Sequence, residues 1–563
     1  MSRWLFKGFV RLLQGFQHPI ASPQFTLSVL LFIAASLVLF EFRSDRIPLD
    51  RDSQYLAQAV DRYEYFQTGG MTWQKFNAPR MREKDAFAHL RFLGPWMLGF
   101  VFRVFGPASN RLIWMNIFLV VFTAILLKRT FTQTGNRNQG DTAAMLLLLS
   151  PLTLLGAQSY SNEIFLMPLI TLVYCMQKNP GFSDSRFSEV RLASLLLVGT
   201  LFRIDFMLLV APVFLIYVRG TRRLERLAFL FVTTSFLAGS FFLIWKLLGY
   251  DAMGQVFGDS ERFVRHNFLP NFSLWIWPVA MMQELMLGSV FCCTPTAFKS
   301  IVRSFKGLGS RDVEWYWLGG IVLCRVFTAD YHISYLFQTM PFWAIMATRS
   351  IGDNKKWDRL YRVIAMSVFS VFAVGFAVWF QWNITTLSSD SRCSRPVRDF
   401  AVRLSAHLKW NHSVKVRAEL DRTLQRLVTE SEKGVTACVV PNDENDDIMH
   451  TYWLYLVYRN AAEYNNHADI LMIRDFSGST EHIFQQKAKH AKCDFLIAER
   501  PAENESQSPI DFRGNRYQYV RGYDARYVMP PQLFSEPRFF REFKDYACGT
   551  DVIRHRRINL YRK

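Results

Sequence analysis

Asp50 and Asp52 open a polar stretch, Pro48–Trp96, that follows the first long apolar run of the chain. A carboxylate at the edge of an apolar run can meet both water and lipid. Ionised, it can take the proton of a hydroxyl group and act as a general base. Tyr55 begins an amphipathic run just beyond this pair, and the stretch closes on Arg91-Phe92-Leu93-Gly94-Pro95-Trp96. An Arg set beside apolar residues suits a lipid phosphate, because the guanidinium fork matches two phosphate oxygens at once. The types and their order therefore suit chemistry on a lipid-phosphate substrate. The plainer alternative is a solvated loop whose charges are surface only.

Other ionisable residues stand in or beside apolar runs. Glu163 follows Gln158-Ser159-Tyr160-Ser161-Asn162, Arg203 and Asp205 flank Ile204, and His332 follows Asp330-Tyr331. A charged group at membrane depth costs roughly 2.5–3.5 kcal/mol on insertion scales, so it faces a cavity or a partner. Each also has a plainer reading. Glu163 can complement the positive end of a helix, Arg203 and Asp205 can neutralise each other, and His332 can sit in a polar turn. His266, within Arg262-Phe263-Val264-Arg265-His266, reads as a surface histidine. Taken together they describe a polar cavity that opens on one side of a membrane.

The elements that must position these groups are hydrophobic helices. Half of the 563 residues are hydrophobic, 51 are Phe, and the formal net charge is +19. Several apolar runs approach the roughly 20 residues that cross a bilayer, and the basic residues flank them in short loops. Such a distribution sets orientation and does not call for nucleic acid. Arg3, Lys7 and Arg11 precede Thr26–Phe40, which reads as a retained helix and not a removed signal. With Arg3–Arg11 inside, the expected spans are Thr26–Phe40, Arg111–Leu127, Thr142–Gln158, Ile164–Met176, a hairpin over Arg191–Val218 with Arg203 and Asp205 at its outer tip, Leu227–Leu248, Phe272–Ala297, Trp315–Thr328, Ser334–Ala347 and Val363–Trp382. That makes about eleven spans. The expected class is a polytopic α-helical membrane protein, with a membrane domain over 1–387, a first outer loop over 48–110, and an extracytoplasmic α/β domain over 388–563.

The tail changes character. Val435–Pro441, Ala468–Ile473 and Cys493–Ala498 read as short buried strands, alternating with helical runs at Ile448–Tyr458 and Glu481–His490. Strands alternating with helices argue for a small domain with a partly parallel sheet. Val397–Leu427 reads as a helix linking it to the last span, and Asp443–Asp447 as a solvated acidic turn. Neither a dinucleotide fingerprint nor a phosphate-cradling Gly loop accompanies these strands, so the domain reads as accessory. Cys393, Cys438, Cys493 and Cys548 fall here, where an oxidising compartment permits pairing, and the sequence does not choose among the pairings. Cys175, Cys292, Cys293 and Cys324 lie in apolar segments and read as small core residues.

Over roughly residues 25–385 the sequence resembles the GT-C superfamily of polyprenyl-phosphate-sugar-dependent glycosyltransferases, in particular the protein O-mannosyltransferase and lipid A aminoarabinose transferase types. Asp52-Ser53-Gln54-Tyr55-Leu56-Ala57 is similar to the acidic motif of the first outer loop. Arg91–Trp96 through Phe102-Arg103-Val104-Phe105-Gly106 is similar to the juxtamembrane segment, and Ser150-Pro151 through Glu163 to the third-span pattern with its second acidic residue. Leu201–Asp205 resembles the basic break in the later spans, and His332–Pro341 occupies the place of an Arg-Tyr-rich segment. The chain departs in having Asp-Arg-Asp for Asp-Glu and in lacking, over these residues, the Pro-Pro of the aminoarabinose transferases. The resemblance implies sugar transfer from a polyprenyl-phosphate donor to a hydroxyl of a glycan, lipid or protein acceptor, at the extracytoplasmic face of a bacterial inner membrane. Asp52 is then the base with Asp50 the runner-up, and Glu163 a second carboxylate. Arg203 and Arg91 would hold the phosphate, with Asp205, Tyr55 and His332 in the substrate site. No cofactor is required, since Arg alone can hold a lipid monophosphate; a divalent cation, Mg or Mn, is compatible. A lipid-linked glycan polymerase or ligase would carry its Arg residues in a larger late loop. A transporter or flippase would show broken helices in matching halves, and only one break, at Leu201–Phe206, is seen.

Overall fold

A computed structural model describes residues 22–44, 55–56, 59–60, 62–63, 93–158, 160, 163–178, 187–203, 206, 223–247, 313–328, 337–348, 355–382, 414–429, 434–440, 447–464, 467–472, 493–501, 509–512, 514–528 and 553–563. These residues fall into two compact units. The first comprises Met1–Phe40, His89–Gly94 and Ile113–Ala377, and the second Glu41–Ala88, Pro95–Leu112 and Val378–Lys563.

The first unit is helical. Its elements are α1 (Pro23–Ser44), α3 (Ser109–Gln133), α4 (Arg137–Leu148), α5 (Pro151–Ala157), α6 (Glu163–Lys178), α7 (Phe187–Phe202), α8 (Arg223–Leu247), α9 (Val313–Thr328), α10 (Met340–Thr348) and α11 (Lys355–Trp382), with α2 (Leu93–Phe105) beginning here and running into the second unit. Among the described residues, Pro23–Glu41, Asn110–Gln133 and Glu225–Ile244 are long and apolar enough to cross a membrane. Hydroxyls on these helices donate back to the preceding turn, as Ser28 Oγ does to the Gln24 carbonyl at 2.9 Å and Thr123 Oγ1 to Leu119 at 2.7 Å. That removes the cost of an unmet polar group in an apolar setting.

One expected span is corrected. Thr142–Gln158 is not a single helix but the pair α4 and α5, bent by 59°. Pro151 has no N–H to give the preceding turn, and it forces Ser150 into extended geometry at φ −78 and ψ 127. The orphaned Leu147 carbonyl is met instead by the Ser150 N–H at 3.4 Å. The expected span Ser334–Ala347 is described only from residue 337, and its helix, α10, begins at Met340. Of the hairpin expected over Arg191–Val218, the structure describes α7, Arg203 and Phe206; residues 204–205 and 207–222 lie outside the described residues, as does the expected span Phe272–Ala297.

In the second unit the tail folds as α12 (Val414–Thr429), β1 (Thr436–Val440), α13 (Asp447–Tyr464), β2 (Asp469–Met472), β3 (Phe495–Pro501), β4 (Ile510–Phe512), β5 (Asn515–Val528) and β6 (Ile553–Arg562). The six strands form one sheet in the order β2-β1-β3-β6-β5-β4. β2, β1 and β3 run parallel, as the alternation of strands and helices requires, and β3-β6-β5-β4 run antiparallel. Leu420, Leu424 and Leu427 recur at helical spacing on α12 and pack with Trp453 and Leu456 of α13 against Val439, Ile470 and Ile497. Trp453 Nε1 donates to the Ile470 carbonyl at 3.0 Å, which fixes α13 on the parallel edge. Gly514, at φ 74, supplies the turn between β4 and β5 that a side chain would strain. On the opposite face Cys438 and Cys493 form a disulfide across 55 residues of sequence, beside Tyr517 and Tyr561.

Candidate active site

Among the described residues of the first unit, three ion pairs join the ends of neighbouring helices. Lys128 near the end of α3 meets Asp141 in the first turns of α4 at 2.9 Å and lies over the Phe25 ring. Glu314 at the start of α9 accepts the Tyr174 hydroxyl at 2.7 Å and pairs with Lys178 at the end of α6, while Arg226 of α8 meets Glu189 of α7 at 3.8 Å. Each pair joins a helix end to a neighbouring helix end. Together they mark one pole of the unit, where the loop basic residues were expected.

Glu163 and Arg203 lie at the other pole. Glu163 is the first residue of α6, and Arg203 directly follows the last residue of α7. The two helices are tied there by Phe165 and Phe202, stacked at 4.9 Å between ring centroids. Arg203 is only 6% exposed. Its N–H closes the last turn of α7 on the Gly199 carbonyl at 2.9 Å, and its carbonyl accepts the Phe206 N–H at 3.0 Å. Phe206 folds back over Gly199 so closely that a Cβ there would stand 2.2 Å from the ring. The missing side chain of Gly199 is what lets the chain turn tightly enough to hold Arg203.

Polar side chains line the same pole. Asn116 Nδ2 donates to the Ala157 carbonyl at 3.1 Å, and Gln158 Nε2 donates to the Ser36 carbonyl at 2.8 Å, so the end of α5 is held between α3 and α1. Among the described residues the Ser36, Ser150 and Thr153 hydroxyls and Gln158 Oε1 are buried and have no hydrogen-bond partner. Phe337, ahead of α10, lies against α5 at Gly156, where an added Cβ would come within 3.0 Å of its ring.

In the second unit Tyr55 is buried, together with Leu56, Ala59 and Val60. Their spacing places them on one face of a helix, as the amphipathic run after Asp52 suggested. Asp50, Asp52, Arg91, Asp205 and His332 lie outside the described residues, and the side chain of Glu163 is likewise not described. No group of three or more His, Cys, Asp or Glu side chains is gathered to hold a metal ion among the described residues.

Compared with solved structures, the chain is similar to ArnT from Cupriavidus metallidurans bound to undecaprenyl phosphate, with a TM-score of 0.53 and 13% identity over 87% of this chain and 97% of that chain. The fold is that of ArnT. The apo state of the same protein gives a TM-score of 0.52 at 13% identity, covering 85% of this chain and 93% of ArnT. No protein-family model and no curated protein matches the sequence. The similarity to the aminoarabinose transferases expected from short motifs over residues 25–385 thus holds at the level of fold.

Several residues that shape the pole of Glu163 and Arg203 carried no strong signal of their own. Gly199 and Phe206 read as two more members of an apolar run, although a Gly one helical turn before an Arg at a helix end is a mark of close packing. Asn116 and Gln158 were signalled only as amides inside hydrophobic segments, the setting in which a membrane helix uses them for contacts to its neighbours.

Proposed function

We propose that the protein is an integral-membrane glycosyltransferase that moves a sugar from a polyprenyl-phosphate donor to an acceptor hydroxyl at the extracytoplasmic face, with inversion. The reading rests on the ArnT fold over nearly the whole chain, in a neighbour whose structure holds undecaprenyl phosphate. The common pole of Glu163 and Arg203 supports it with the two charge types the reaction needs. Asp52 takes the proton of the acceptor hydroxyl, and the freed oxygen attacks the anomeric carbon. The bond from that carbon to the phosphate oxygen breaks, leaving a lipid monophosphate that gains negative charge. Arg203, with Arg91, stabilises that charge through charge-assisted hydrogen bonds. Glu163 orients the acceptor. Asp50 is the alternative base.

The outer placement of the tail follows from the same reading. A disulfide such as Cys438–Cys493 persists in an oxidising compartment, which is where loop charge also places residues 388–563.

Asp52→Asn keeps size and polarity and removes the basicity. Transfer from a synthetic polyprenyl-phosphate sugar in nanodiscs should fall by roughly 10²–10⁴-fold with donor binding retained. Asp50→Asn should cost far less; the reverse ranking moves the role to Asp50. Wild-type turnover by both variants would remove the outer-loop carboxylates from the mechanism.

A further inference from the structure

We propose that the C-terminal domain is a positioning element for the first outer loop, acting through α2 on the helix that follows Asp52. The proposal rests on the assignment of the base to that loop. All the contacts that carry it lie within the second unit.

Ala59 and Arg62 pack on α2 at Gly99. A Cβ on Gly99 would stand 2.3 Å from the Arg62 Cβ, 3.0 Å from the Arg62 carbonyl carbon and 3.1 Å from the Ala59 oxygen. The two backbones thus touch with no side chain between them. The Arg62 guanidinium lies over the Trp96 ring at 5.1 Å, a second tie one turn earlier on α2. Tyr55, Leu56, Ala59 and Val60 are buried along the same stretch, so it is held over its length and not at one point.

On the other side, α2 is held by the tail. Phe102 is fully buried and stacks on Tyr458 of α13, with ring centroids 6.4 Å apart and planes 30° from parallel. α13 is in turn fixed on the sheet by Trp453 and by Asn460 Nδ2, which donates to the Ala468 carbonyl at 2.8 Å. The face of α2 left over carries Met97, Phe100, Val104 and Phe105, large apolar side chains up to 62% exposed. That is a surface for lipid tails. α2 therefore lies between the lipid, the loop helix and the tail, and cannot shift without loosening one of them. Only Ser53 and Gln54 separate Tyr55 from Asp52 in the sequence. A general base misplaced by about 1 Å can lose on the order of 10²-fold in rate, so a rigid support for that helix has a catalytic consequence.

The test uses the full chain in nanodiscs. Tyr458→Ala and Phe102→Ala should each raise hydrogen exchange over residues 48–63 and lower kcat by roughly tenfold or more, with donor Kd unchanged. Tyr458→Phe keeps the ring and should retain both wild-type exchange and wild-type kcat. Gly99→Ala should resemble Tyr458→Ala, because it forces the two backbones apart. Unchanged hydrogen-exchange protection of β1, β3 and β6 reports that the tail remains folded, and Phe102→Ala lies outside that fold. Unchanged exchange over 48–63 in the two alanine variants overturns the proposal. So does raised exchange with unchanged kcat. If Asp52→Asn abolishes transfer in the same preparation, that failure belongs to the positioning role and not to the assignment of the base.

Discussion

At the scale of single residues, the best-supported group is Arg203, because the structure shows how it is held. Its position is set by the last turn of α7, by the Phe206 N–H, and by the void at Gly199 into which Phe206 folds. In the proposed role Arg203 makes charge-assisted hydrogen bonds to the lipid phosphate worth roughly 1.5–3 kcal/mol, so Arg203→Ala should weaken donor binding by about 10–150-fold. Arg203→Lys should recover only part of this, since a point charge does not reproduce the fork. Gly199→Ala leaves the guanidinium intact but drives a methyl into the Phe206 ring, and it should weaken donor binding by a smaller factor. Titration of labelled donor into the three variants checks the order. If Gly199→Ala binds as wild type, the turn does not set the position of Arg203. Arg203 was legible in the sequence as a charge beside an apolar run. Its support was not, because Gly199 and Phe206 meet through a turn whose geometry no periodicity announces.

Among the elements, the junction of α12 and α13 decides whether the tail holds together. Arg459 donates to Asp421 at 3.2 Å and also pairs with Glu463, and the Tyr455 hydroxyl donates to the same Asp421 oxygen at 2.9 Å. Burial pulls the Arg459 pKa down, but Tyr455 and the carboxylates of Asp421 and Glu463 outweigh it, and the net shift is upward. A base whose folded pKa is raised contributes its stability at every pH below its unfolded value. The arginine of this cluster therefore stays charged throughout the ordinary range. Asp421→Ala leaves both Arg459 and Tyr455 without that acceptor and should lower stability by about 1.5–3 kcal/mol. Thermal unfolding of the purified protein reads this as a lower Tm, and an unchanged Tm would show the cluster to be ornamental. The parallel half of the sheet was legible, since its strands are short apolar runs between helices. The β5–β6 ribbon was not: its residues, such as Arg521 and Arg562, are polar and gain strand character from pairing with each other.

At the scale of the whole chain, the two poles of the first unit predict a topology that can be tested. Charge pairs join the helix ends at Lys128, Lys178 and Arg226, while Glu163 and Arg203 share the opposite end. An alkaline phosphatase reporter, active only in the periplasm, should be on when fused after Lys563 and off when fused near Arg223. Activity at Arg223, or its absence at Lys563, would place the acidic loop and the tail on opposite sides and end the single-site reading. The same preparation should show Cys438 and Cys493 resistant to alkylation until reduced, because their sulfurs are joined to each other.

The sequence by itself determined the class of this protein. Apolar runs of membrane length, basic loops and alternating strands are local properties, and transfer free energy acts on each run separately. Local chemistry also made Pro151 visible, yet its consequence, the bend between α4 and α5, depends on Asn116 and Gln158 receiving the end of α5 between neighbouring helices. Only the tertiary structure decided that Phe165 brings Glu163 and Arg203 to one pole, that Cys438 pairs with Cys493, and that Phe102 rests on Tyr458. Phe102 and Tyr458 are 356 residues apart in the chain. A contact of that separation is selected by how preformed helices fill the space between them, and no window of sequence contains it.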